Sequence, residues 1–98
     1  MSGYFSIGEK KMKHLRLTKI KSDTQLVVDY HAVITNKMTS SPVYNTGLLI
    51  RHHIADEKYF VFDSGKLVYS GFAQNRVSIR RSILPWINKY YNLKGEIV

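Results

Sequence analysis

Ninety-eight residues, 44% of them hydrophobic and 22% charged, suit a single small folded domain spanning 1–98 and argue against wholesale disorder. The absence of cysteine excludes a disulfide framework, a thiol nucleophile and any thiolate metal site. Fifteen Lys and Arg against seven Asp and Glu leave a formal net charge of +8, a balance that favours an anionic partner.

Residues 1–9 read as a loose end. Lys13 to Lys21 then alternates imperfectly, with Leu15 and Leu17 on one side and Arg16 and Thr18 on the other. Ser22-Asp23-Thr24 supplies turn chemistry, so a hairpin is predicted into the clearest strand, Gln25 to Thr35. There Leu26, Val28, Tyr30, Ala32 and Ile34 share one wholly apolar face, while Val27, Asp29, His31, Val33 and Thr35 make a mixed one. Asn36 to Thr46 is polar, contains Ser40-Ser41-Pro42, and reads as a loop long enough to suggest a function. Leu48 to Ile54 resumes extended character, and Ala55-Asp56-Glu57 turns the chain into Tyr59-Phe60-Val61-Phe62. Asp63-Ser64-Gly65-Lys66 closes a tight turn into Leu67-Val68-Tyr69, with Gly65 free to take a positive φ.

The last quarter turns on Pro85. A helix from about Ser78 to Tyr91 sets Ile79, Ile83, Trp86, Ile87 and Tyr90 on one stripe but encloses the proline. A strand over Arg76–Arg80 followed by a shorter helix capped by Ser82 would avoid that cost. The longer helix is favoured, with Gly95 as a stop and 94–98 loose. The fold expected is α+β: an antiparallel sheet of four to five strands covered on one face by a C-terminal helix, the other face left for water or a partner. Phe60, Phe62 and Trp86 are assigned to the core, so Trp86→Ala should cost about 3–5 kcal/mol.

Charge is not spread evenly. Net +4 lies in residues 1–24 and again in 76–98, around a neutral middle. Lys11, Lys13, Arg16 and Lys19 from the first stretch, with Arg76, Arg80 and Arg81 from the second, are the candidate phosphate contacts. On a helix Arg76 and Arg80 share a face and Arg81 lies about 100° further round. Glutamate at positions 80 and 81 should then abolish binding without lowering stability. Seven of the twelve aromatic residues are tyrosine, a residue suited to half-exposed positions and hence to stacking against bases.

Enzyme signatures are missing: no phosphate loop, His-Glu-x-x-His, Gly-x-Ser-x-Gly or EF-hand sequence occurs, and no catalysis and no cofactor are expected. His52 and His53, as strand neighbours, point to opposite faces and cannot readily share a metal, and His14 and His31 could approach only if their strands pair in the right register. No apolar run approaches the ~20 residues of a membrane helix and no secretory signal opens the chain, so a cytoplasmic location is expected. Lys, Ile, Asn and Tyr usage suits an AT-rich genome, such as a viral one. Two functions compete. One is a small nucleic-acid-binding protein, for DNA or RNA. The other is a protein-interaction module (inhibitor, adaptor or assembly subunit) that docks an acidic surface, with a homodimer through an edge strand as a further option.

Overall fold

A computed structural model of the protein describes residues 13–20, 26–39, 41–91 and 97–98. Period-two alternation makes five strands: β1 (Lys13–Lys19), β2 (Val27–Asn36), β3 (Pro42–His53), β4 (Lys58–Asp63) and β5 (Lys66–Phe72). Each pairs antiparallel with the strand before it, in the order β1-β2-β3-β4-β5, and α1 (Arg76–Tyr91) follows. Among the described residues the result is an α+β fold of a five-stranded antiparallel sheet and a C-terminal helix. The turn residues Ser22-Asp23-Thr24 and the proposed stop Gly95 lie outside the described residues.

Register aligns one apolar face across the sheet. Leu15 and Leu17 oppose Ile34 and Ala32, Tyr30 opposes Ile50, and Ile50 opposes Val61. Ile79, Ile83 and Ile87, at helical spacing, close over this face, and all three are fully buried. Tyr59 is buried with them, its hydroxyl 2.6 Å from Ser82 Oγ on the helix. The helix face is thus locked to the sheet by packing and by polar contacts, this part-buried hydroxyl pair among them.

Several expectations need correction. Phe60 and Phe62 are not core residues. Tyr59 and Val61 take the helix side through their pairing with His52 and Ile50, so alternation sends the two phenylalanines to the opposite, uncovered face. Trp86 is only half-buried, stacked between Tyr69 (centroids 4.9 Å apart) and Tyr90 (4.6 Å), because the isoleucine stripe already fills the centre of the interface. Leu26, expected on the apolar face of its strand, and Ile54, expected to end the next one, lie just beyond strand ends and are exposed.

The expected loop at 36–46 is mostly strand. β2 runs through Asn36, the turn occupies only a few residues, and Pro42 opens β3 opposite Thr35. Proline is tolerated as a first strand residue, and β4 pairs only from Leu48 onward, so this half of β3 has one neighbour and can be polar. Gly47, at φ 74°, lets the strand bulge there, and Thr46 Oγ1 holds the bulge by donating to the Ala32 carbonyl at 2.7 Å.

The longer helix is the one formed, and Pro85 lies inside it. Asn75 caps it, its side-chain oxygen accepting from the Ser78 amide at 2.9 Å, which moves the start two residues ahead of the predicted one. Both residues of the tight turn, Ser64 (φ 52°) and Gly65 (φ 84°), are left-handed, as a two-residue hairpin loop of this hand requires. Finally, Ile97 and Val98 lie along the outer edge of β1: Val98 donates to the Lys13 carbonyl and accepts from the Leu15 amide, each at 2.9 Å.

A candidate anion-binding groove

Among the described residues, no strand neighbours the outer edge of β1 beyond Leu15, and the first turns of α1 stand beside it. Between them runs an open groove of about 500 Å³. It is lined by Arg16 and Lys19 from β1 and by Arg76 and Arg80 from α1, over a floor that includes Leu17 and Val77. No carboxylate occurs among the described residues that line it. Cations drawn from both basic stretches of the chain therefore line one groove at the sheet edge, Lys19, Arg76 and Arg80 on its helix side and Arg16 on the opposite face of β1. Sheet topology explains this: β1 is the edge strand, and the helix crosses back over the sheet to reach it.

The seven candidate residues divide accordingly. Arg16, Lys19, Arg76 and Arg80 share the groove. Lys13 stands at the far end of β1, where the strand is bridged to Ile97. Arg81 is exposed on α1 but does not line the groove, being turned away from the Arg76/Arg80 side. Lys11 lies outside the described residues. Among the tyrosines offered as stacking platforms, Tyr30 and Tyr59 are core residues, and Tyr69, Tyr90 and Tyr91 are engaged with one another or with Trp86.

Arg80 has a structural role that sequence reasoning missed. Its Nε donates to the Leu15 carbonyl at 2.6 Å and its terminal nitrogen to His14 Nδ1 at 3.2 Å. The side chain thus serves as a partner for an otherwise open strand edge. Partial burial lowers its pKa from the ordinary value, although a guanidinium stays protonated at neutral pH. Glutamate at position 80 would set a carboxylate against a carbonyl, so the expectation of unaltered stability does not hold for that residue.

His14 belongs to the same cluster. Burial, followed by the charges of Arg80, Lys37 and Arg16, holds its pKa below the ordinary 6.5. An imidazole that accepts from Arg80 through Nδ1 must be neutral, so geometry and electrostatics agree. The folded state disfavours protonation, so this contribution is complete above 6.5 and is lost as pH falls towards the depressed folded value. Unfolding midpoints in urea should drop across that range. His14→Asn, which keeps an acceptor for Arg80, should flatten the dependence; an unchanged slope would contradict the assignment. The sequence signal for His14 is its spacing of two from Arg16, which puts both on one face of β1.

The remaining histidines are dispersed. His52 is buried and its Nε2 lies 2.8 Å from the Ala73 carbonyl, while His53 meets the Phe60 ring edge-on from the other face. His14 pairs opposite Thr35 and His31 opposite Thr18, which separates them by four residues along the sheet, about 13 Å. No group of three His, Asp or Glu side chains that could hold a metal ion occurs among the described residues, and no helix among them is long and apolar enough to cross a membrane. Compared with family models, curated proteins and solved structures, the chain matches none.

Proposed function

We propose that the protein binds nucleic acid and seats backbone phosphates in the groove between β1 and α1. The observation that carries this reading is the convergence of Arg16, Lys19, Arg76 and Arg80 on a groove whose described lining holds no acid. Guanidinium groups bind phosphate oxygens in bidentate fashion, and crowding cations without counter-charges is unfavourable until an anion arrives.

A salt titration tests this directly. With a fluorescent oligonucleotide followed by anisotropy between about 50 and 200 mM salt, log K should fall with log salt at roughly 0.7–0.9 per phosphate contact. Three or four groove contacts give a slope of about −2 to −4. A flat response, or no binding at the low-salt end, rejects the reading.

One observation favours the second reading, docking of an acidic protein. In β1 the residues 13, 15, 17 and 19 turn their main-chain groups outward; Val98 and Arg80 satisfy those of Leu15, whereas the edge at Leu17 and Lys19 opens onto the groove. An extended acidic segment could add there as a strand. A stoichiometric protein partner retained after nuclease treatment, with no salt-dependent oligonucleotide binding, is the result that would select it.

A further inference from the structure

The sheet face turned away from the helix carries its own chemistry. On it lie Phe60 and Phe62 from β4 and Phe72 from β5, with Phe72 73% exposed. Phe60 and Phe62 alternate along one strand, so their side chains are spaced by about 7 Å, and Phe72 is a diagonal neighbour of Phe60 at about 7–8 Å. Three flat side chains at such intervals match the reach of an extended polynucleotide, whose bases can be set apart from one another. Cations accompany the rings. Lys58 Nζ lies 5.2 Å from the Phe60 centroid and 5.5 Å from that of Phe72, and the Arg51 guanidinium lies 6.0 Å from Phe62. The carboxylate of this face, Asp29, is held by Arg51 in a two-pronged ion pair at 3.0 and 3.1 Å. Arg16 stands on the same face of β1 and also lines the groove, three strand spacings from β4, or about 14 Å.

We propose that this open face is a stacking platform for single-stranded nucleic acid, with bases lying on Phe60, Phe62 and Phe72 while the backbone runs by way of Arg16 into the groove. The inference rests on the nucleic-acid reading and narrows it to unpaired strands. Bases buried inside a duplex cannot reach the rings, whereas every unpaired base offers a flat face. Charge selects this occupant over a second copy of the chain. Two such faces brought together would crowd Lys58, Arg51 and Arg16 with the same cations of the second copy, while Asp29 is already paired to Arg51. A polyanion meets the same cations favourably, and Lys58 can leave the ring faces to pair with a phosphate.

The test compares an oligothymidine of about 12 nucleotides with a duplex of equal length, by anisotropy at low salt. The wild-type protein should bind the single strand at least about tenfold more tightly. Phe72→Ala, at an exposed position, and Phe60→Leu, which keeps apolar volume, should each weaken single-strand binding by roughly 5- to 100-fold and erode the preference over duplex. Equal affinity for the two probes, or wild-type single-strand affinity in both variants, overturns the platform. So does a wild-type dimer in sedimentation that Phe72→Ala converts to monomer, since the face would then belong to a second copy. Arg76→Glu, remote from the rings, separates the two levels. If it abolishes binding while the phenylalanine variants change nothing, the groove stands and the platform falls. If it changes nothing while they abolish binding, the groove falls alone.

Discussion

The double variant Arg16→Glu/Arg76→Glu is expected to lose nucleic-acid affinity by about 25- to 60-fold at 0.1 M salt from missing phosphate contacts alone, with like-charge repulsion adding to that. The figure follows from counterion release: each contact contributes roughly 0.7–0.9 of a log unit per tenfold dilution of salt, and two are removed. Both side chains are exposed and neither forms a hydrogen bond among the described residues, so thermal stability should move by less than about 1 kcal/mol. Arg81→Glu serves as a control, since it makes the same kind of charge change outside the groove. It should reduce affinity only by the weak, screened effect of net charge. Equal losses from groove and control variants would show that diffuse charge, not this surface, attracts the ligand.

Ile83→Ala should destabilise the fold by about 2–5 kcal/mol, the cost of lost burial together with an unfilled cavity. The side chain is wholly inaccessible and sits midway along the stripe that joins α1 to the sheet. For a domain of this size, whose total stability lies near the lower end of about 5–15 kcal/mol, that loss is enough to unfold much of the population. Trp86→Ala should cost less, about 1–2 kcal/mol, because the indole is only half-buried, stacked between the Tyr69 and Tyr90 rings at the margin of the core. Urea denaturation of both variants checks the order; a larger loss for Trp86 would return that residue to the centre of the core.

Much of this fold can be read from local pattern. Alternation in 26–35 identifies β2 and its buried side because one face is wholly apolar, and Ser64-Gly65 marks its hairpin because few residues tolerate left-handed backbone. Tyr59 to Phe62 was less legible: four consecutive aromatic or β-branched residues have no polar member to label the outer face, so parity could be settled only by the pairing with β3. The stretch from Pro42 reads as a loop in sequence because polar residues suit a strand that has one neighbour as well as they suit a turn. For the groove, the two basic stretches were visible in sequence. Which cations meet was not, because that depends on α1 crossing to β1, a long-range contact with no local signature. Arg80 and Arg81 look equivalent as neighbours in the chain, yet one supports a strand edge and the other faces away.

Strand order also bears on how the molecule assembles. Every pairing in the sheet joins consecutive strands, so each hairpin closes a short stretch of chain at small entropic cost and can form early. The bonds from Arg80 and Val98 to β1 are different, since they bring together segments at opposite ends of the chain and complete the structure only once the meander exists. Weakening those late contacts should therefore accelerate unfolding while leaving the refolding rate nearly unchanged.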